Sequence, residues 1–480
     1  MKRREIEWGD ERLAPSSLDN HGESLNVQTP FPQTANSVHS VRKMDNQTKT
    51  HKSYMPQIII LSICFFGIFF AFNTSQALQT TVNKRQGYIN LGCLYGVFSV
   101  FSIFGPKVVS LAGPKWSMII GGVTYACAVA SNLRPEPVIQ VIANLAVGVG
   151  AAMLWNAQGV YLGRCAVWDS RTSSRSFAET TSSFNGVFFA IFQFSGFAGT
   201  LISGIIKHFT NNNTILFIIL TLVGVISVFS LSFLPNVESY SAPGQEEKND
   251  SVSFNETFRL LCSSVKLLMI LPLIIYNGMS LAFIFGDIPT GISNRCFGGS
   301  WNLYTTAIFY LANAFFSYIF GKCVEKKWMS RTVMCLIAFF CQVASFCFII
   351  FYHIPDKTTN PADLPLALTM VVVLSAGDAV WESQPPAILQ SFYGKDSERN
   401  AAMANYKMWQ SLGWCAQFVL GVIFNKDSDL TMKAIILLSL LVVGYIFLVI
   451  LDKRVAKLDM KKGESAALLA GYTDPTTASV

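Results

Sequence analysis

Two carboxylates, Asp378 and Glu382, stand four residues apart in an otherwise apolar stretch. That spacing places both on one face of an α-helix. Lys407 sits in the next apolar stretch and Asp287 in an earlier one. Charges in such surroundings are costly in lipid and call for a partner, a cavity or an ion path. Two readings are open for this set: an ion pair that fixes helices against one another, or a site that takes up an ion or a proton. Polar residues interrupt other apolar stretches: Asn73, Gln76, Gln79 and Thr80, then Asn156 and Gln158, then Asn185 and Gln193, then Gln384 and Asn405. They are expected to line a central cavity, with helix–helix hydrogen bonding as the alternative.

No other chemistry is legible. There is no Walker A loop, no GxSxG and no HExxH, so neither an enzyme nor an ATP-driven pump is expected. The 11 Cys form no CxxC pair, and the 5 His are scattered. No metal site and no cofactor are expected. Most cysteines sit in apolar runs, where they act as small hydrophobes.

The elements that must carry these residues follow from composition. The 480 residues are 51% hydrophobic and 14% charged, with a mean hydropathy of +0.40. A soluble globular protein carries about 25% charged residues. A membrane helix needs about 20 mostly apolar residues. Runs of that kind cover residues 57–81, 88–111, 116–131, 136–162, 177–209, 214–234, 265–289, 301–320, 330–352, 364–389, 399–424 and 430–451. The predicted fold is an all-α membrane protein of about 12 transmembrane helices in two six-helix halves. Residues 1–56 read as a disordered cytosolic tail. Residues 57–234 form the first bundle, 235–264 a cytosolic central loop, 265–451 the second bundle and 452–480 a cytosolic C-terminal tail.

Lys and Arg fix the orientation. One alternating set of segments holds about 27 of them, including Lys107, Lys115, Arg164, Arg171, Lys322, Lys326 and the cluster Lys453 to Lys462. The other set holds about eight: Lys84, Arg85, Arg134, Lys207, Arg295, Lys357, Lys426 and Lys433. The positive-inside bias puts both termini in the cytosol. It also accounts for the net charge of +7 without a nucleic-acid partner. Glu382 and Lys407 each lie about 12 residues from the turn near Gly394, or about 18 Å into the membrane at 1.5 Å per residue. An intramembrane Glu382–Lys407 pair is expected, with Asp378 one turn further out. Pro385-Pro386 is expected to break or kink this helix, and Gly148, Gly150, Ala151 and Ala152 to permit close helix approach.

Short matches relate the halves. Leu154-Trp155-Asn156-Ala157-Gln158 parallels Val380-Trp381-Glu382-Ser383-Gln384, Asn90-Leu91 parallels Asn302-Leu303, and Lys115-Trp116 parallels Lys327-Trp328. Their order is that of a parallel two-half repeat.

Longer blocks carry a family resemblance. They are Gln76-Ala77-Leu78-Gln79-Thr80-Thr81-Val82-Asn83, Leu91-Gly92 through Tyr95-Gly96, Gly148 through Trp155, and Gly286-Asp287. The most specific are Gly377-Asp378-Ala379-Val380-Trp381 with Gln384, and Ala404-Asn405-Tyr406-Lys407-Met408-Trp409. The chain resembles the uncoordinated-93 family of the major facilitator superfamily, and is similar above all to its homologue A type. The resemblance implies twelve helices with both ends cytosolic. It also implies an accessory role, regulating a potassium channel or escorting a receptor. Facilitators usually carry an acid and an arginine between helices two and three as a conformational latch. Here Ser110 and Pro114 stand in those places, whereas the second half keeps Glu325, Lys326 and Arg331.

The expected function is that of a multi-pass membrane accessory protein whose partners are the lipid bilayer and another membrane protein, a potassium channel or a receptor. The alternative is a secondary transporter of a small solute or ion. The plasma membrane is the expected location, with endolysosomes as the alternative. Glu464, Leu468 and Leu469 fit a weak acidic dileucine sorting signal, and Asn212 heads an outward-facing sequon close to the membrane.

Overall fold

The computed structural model describes residues 53–173, 177–210, 212–237, 254–326, 328–393, 396–426 and 429–470. The helices are α1 (Met55–Val82), α2 (Lys84–Phe101), α3 (Gly105–Ala112), α4 (Pro114–Ala130), α5 (Pro137–Thr172), α6 (Phe177–Thr210) and α7 (Asn213–Ser230). The chain continues with α8 (Phe254–Ser263), α9 (Val265–Ala282), α10 (Trp301–Glu325), α11 (Arg331–Phe351), α12 (Asp363–Phe392), α13 (Asp396–Ile423) and α14 (Leu430–Ala470). No strand occurs among the described residues. The expected tail at residues 1–52 and most of the central loop lie outside them. So do the side chains of Glu464, Leu468 and Leu469.

Among the described residues, ten helices are long and apolar enough to cross a membrane. α2 and α13 are not among them, and these are the helices with the most polar spanning sequences. They pack against each other at the centre of the molecule, where protein replaces lipid as their solvent. With them the architecture is consistent with twelve crossings. α1, α2, α4, α5, α6 and α7 pack mainly among themselves, as do α9 to α14, and the pairs α2–α13 and α6–α10 join the two sets. Large apolar side chains such as Leu222, Phe229, Phe315, Phe340 and Ile446 are exposed on the outer surface, as lipid-facing residues must be.

Close approach is achieved with small residues, as expected. A Cβ on Gly148 would lie 2.6 Å from the Leu94 carbonyl of α2, and one on Gly150 would lie 2.0 Å from Thr124 of α4. Backbone meets backbone most closely between α9 and α13. There a Cβ on Gly278 would meet the Gln410 carbonyl at 2.0 Å, and one on Gly413 the Ile275 carbonyl at 2.3 Å.

Pro385 and Pro386 lie within a helix that runs unbroken to Phe392. The irregular backbone falls instead in α9. Beyond Ala282 this helix widens into two π-helical stretches, Phe283–Asp287 and Pro289–Phe297. Pro289 has no N–H to give to the carbonyl four residues back, and a wider turn accommodates the missing bond. Such segments occur often at functional sites.

α1 begins with Tyr54 donating its backbone N–H to Asp169 Oδ1 on α5 at 3.0 Å. This buried carboxylate thus meets one of the orphan donors of the helix start. Asn212 caps α7, its side chain accepting from the N–H groups of Thr214 and Ile215.

Candidate functional site

Two charged clusters lie inside the bundle, with an aromatic layer running from one to the other. The outer one centres on Asp287, which the π-helical stretch carries into the space between α2, α13 and α14. Its Oδ1 accepts from Lys433 Nζ at 2.6 Å and from Tyr88 Oη at 2.6 Å, and its Oδ2 accepts from Gln417 Nε2 at 2.7 Å. Lys433 is 2% exposed and Asp287 1%. Lys433 also lies over the Tyr88 ring at 5.1 Å, a cation–π contact. Tyr88 Oη is a further 3.3 Å from Thr290 Oγ1. One carboxylate therefore binds three helices, and Tyr88 brings in the first half of the chain. Charge-assisted bonds of this kind are about twice as strong as neutral ones.

Two further contacts join the halves at this end. Lys84 Nζ donates to the Asn425 carbonyl at 2.9 Å, and Asn302 Nδ2 donates to Thr81 Oγ1 at 3.1 Å.

The aromatic layer starts at Phe418, whose ring is 6.2 Å from Tyr88. Tyr95 stacks on Trp414 at 4.4 Å and 13°. Trp414 lies parallel to Phe285 at 5.7 Å, and Phe285 is 5.2 Å from Tyr310. Tyr95 comes from α2 and Trp414 from α13, so the layer crosses between halves. Tyr95 Oη also donates to Gln76 Oε1 at 3.1 Å.

The inner cluster holds Asp378, Glu382 and Lys407. Asp378 is fully buried; its Oδ2 accepts from Asn313 Nδ2 at 2.9 Å and its Oδ1 has no partner. Glu382 follows one turn later and is half-buried. Lys407, although within a bundle helix, is exposed. Its Nζ donates to Gln410 Oε1 at 3.3 Å and lies 5.3 Å from the Tyr406 ring. Gln410 Nε2 passes the chain on to Asn277 Oδ1 at 2.6 Å and to Tyr406 Oη at 3.0 Å.

The expected Glu382–Lys407 ion pair is therefore corrected. The two are not at ion-pair distance, because Gln410 and the Tyr406 ring hold the ammonium. Among the described residues the buried ion pair is Asp287–Lys433. Lys433 had counted among the outer-loop cations. The signal that finds it is its place four residues into the last apolar run, at the outer level of Asp287. Tyr88, Gln417, Asn313 and Gln410 are ordinary polar residues with no spacing that marks them.

The polar set divides. Gln76, Gln79, Thr80 and Gln158 are buried, and Gln79 Oε1, Thr80 Oγ1 and Gln158 Nε2 have no partner. Asn73, Asn185 and Gln193 are half-buried. Asn156 donates to the Ala152 carbonyl of its own helix at 2.7 Å, and Gln384 to Ser383 at 3.3 Å. Asn405 departs from the cavity expectation. It is fully buried, and its Nδ2 donates to the carbonyls of Thr257 and Ala401, each at 3.0 Å. It ties α13 to α8. Ser110, in the latch position, bonds only to the Lys107 carbonyl at 2.7 Å. No group of three or more metal-ligating side chains occurs among the described residues.

Comparison with known proteins places this geometry. Among solved structures, the nucleoside transporter NupG superposes with a TM-score of 0.63 at 12% identity, covering 82% of this chain and 99% of that one. The peptide transporter POT does so with a TM-score of 0.63 at 11% identity, covering 86% and 98%. At such identities the likeness is one of fold, that of the major facilitators. In sequence, the chain is 26% identical to protein unc-93 homolog A of Bos taurus over 429 residues, 81% of this chain and 91% of that protein. It is 26% identical to UNC93-like protein 3 of Arabidopsis thaliana, covering 82% and 85%. It is 23% identical to the putative potassium channel regulatory protein unc-93 of Caenorhabditis elegans, covering 78% and 58%. A family model described as ion channel regulatory protein UNC-93 matches residues 78–449. This multi-pass membrane protein belongs to the UNC-93 family.

Proposed function

We propose that this protein is a membrane accessory subunit that regulates a potassium channel from the plasma membrane, with both termini in the cytosol. The observation that carries the reading is the family match across residues 78–449, under the description of an ion channel regulatory protein. Two structural features support it. A buried ion pair with two further hydrogen bonds ties α2, α13 and α14 together at the end of the bundle expected to face outward. The first-half loop that would carry the facilitator latch has no acid and no arginine. A partner would read the face of α12 and α13 on which Glu382 and the exposed Lys407 stand without pairing.

Co-expression with a candidate potassium channel tests this. Lys407→Gln is expected to change the current while leaving the protein at the cell surface. Tagged protein purified from native membranes in mild detergent is expected to bring a channel with it near stoichiometry. A partner-free preparation together with currents indifferent to Lys407→Gln would overturn the reading.

One observation favours a second reading, secondary transport. Asp378, Glu382 and Lys407 are charges inside the bundle that are not spent on one another. Uptake of a solute or ion into liposomes by the purified protein, abolished by Asp378→Asn, is the result that reading requires.

A further inference from the structure

The inner cluster has charges of both signs that face one another without closing. Glu382 and Lys407 stand on neighbouring helices without an ion pair, and Tyr406, the residue before Lys407, reaches the Glu382 carbonyl at 3.5 Å. Two opposite charges inside a bundle ordinarily collapse into a pair, since separation leaves each without its counter-ion. Here the lysine leans on Gln410 and the Tyr406 ring and remains exposed. One turn from Glu382, the fully buried Asp378 keeps Oδ1 without any partner. Asn277, at the end of the Lys407–Gln410 chain, likewise keeps its Nδ2 hydrogens without an acceptor. Buried polar groups in native proteins are satisfied almost without exception, and an orphan calls for an explanation. The acceptors without donors are on α12. The exposed ammonium and the donor without an acceptor lie along the chain that starts on α13.

We propose that the space between α12 and α13 binds a small zwitterion, such as an α-amino acid or dipeptide, its ammonium on Asp378 and Glu382 and its carboxylate on Lys407. An ammonium carries three donors, which matches Asp378 Oδ1 and the Glu382 carboxylate. Tyr406, whose hydroxyl reaches the Glu382 carbonyl at 3.5 Å, adds an aromatic ring beside the carboxylates. A monovalent organic cation would leave Lys407 unanswered, and an anion would leave the two carboxylates so. Occupancy of this space stands or falls apart from any effect on a channel and from any flux.

The test is ligand-dependent thermal stabilisation of the purified full-length protein. Phenylalanine and phenylalanyl-glycine are each compared with their N-acetyl and C-amide forms. The free zwitterions are expected to raise the unfolding midpoint. Either blocked form is expected to need at least about tenfold more ligand for the same shift, the effect of one lost charge-assisted contact. In Lys407→Gln the free acid and the amide become equivalent; in Glu382→Gln the preference for the amine over its acetyl form shrinks, and with Asp378→Asn added it is lost. Lys407→Arg keeps the discrimination and shows that the gap tolerates substitution. No shift with any of the compounds overturns the proposal. So does equal stabilisation by an amide and its free acid in the unaltered protein, which would mark an organic-cation site instead.

Discussion

Removing Lys433 tests the outer cluster most sharply. Asp287 and Lys433 are 1% and 2% exposed and 2.6 Å apart. Breaking a buried pair by deleting one partner costs about 3–5 kcal/mol, because the other charge stays buried. Asp287 retains Tyr88 and Gln417 at 2.6 and 2.7 Å, so Lys433→Met is expected near the lower end, about 3 kcal/mol. Asp287→Asn leaves Lys433 as a buried cation facing no carboxylate, at a similar cost. In the double variant both charges are gone, and the amide introduced in place of the carboxylate can still accept from Tyr88. Replacing a whole buried pair is often close to neutral, so about 1–2 kcal/mol is expected, less than for either single change. The assay is the thermal unfolding midpoint in one detergent, with retention of a monodisperse peak as a second readout. One kcal/mol moves the midpoint by about 2–4 °C in a 150–250-residue domain and by less in a longer chain, so each single change is expected to lower it by several degrees. If the double variant lost as much as the two single losses together, the residues would be independent and the lock would not exist.

Four further outcomes follow from the same contacts. Tyr88→Phe keeps the ring over Lys433 and removes one bond to a charged acceptor, so a loss of about 1.5–3 kcal/mol is expected in the same unfolding assay. Gly278→Ala drives a Cβ to 2.0 Å from the Gln410 carbonyl, whereas Gly159→Ala meets nothing within 4 Å; the first is expected to lower the yield of folded protein severely and the second to leave it unchanged, as size-exclusion profiles will register. Asn405→Leu removes the bond to the Thr257 carbonyl, and limited proteolysis is expected to cut residues 254–263 faster, with little change in overall unfolding. Gln410→Leu frees Lys407 from its hydrogen bond, and the released ammonium is expected to swing toward Glu382. In that background, Glu382→Gln is expected to lower the unfolding midpoint more than in the parent.

Much of the fold was legible because a membrane imposes it. The predicted run 57–81 became Met55–Val82, and 330–352 became Arg331–Phe351, since apolar length alone sets such boundaries. The runs 88–111 and 399–424 were read as apolar like the others, yet α2 and α13 fall short of membrane-crossing apolarity, and the structure gives the reason: they pack against each other. The charges Asp287, Asp378, Glu382 and Lys407 stood out for the same reason that makes them costly. Their partners did not. Counting residues gives depth along a helix but not the course of a side chain, and the Lys407 ammonium goes to Gln410, three residues on in its own helix, rather than across to Glu382. The π-helical turn of α9 adds a second shift that no regular periodicity contains, and it is what brings Asp287 to Lys433.

The two clusters are mechanically joined, and the joint lies on α13. Gln417 holds Asp287, Trp414 stacks in the aromatic layer, Gln410 holds Lys407, and Tyr406 reaches the Glu382 carbonyl. These positions are spaced three, four and four residues apart, so they form one stripe along a single helix face. The Gly278–Gly413 contact clamps the middle of that stripe to α9 with no room for sliding. A rotation of α13 that took Gln410 away from Asn277 on α9 would carry Gln417 away from Asp287 as well. It would also break the Tyr95–Trp414 stack that reaches into the first half. Whatever occupies the inner cluster is therefore in a position to bias the outer lock, and through it the relation between the halves that a membrane partner would read.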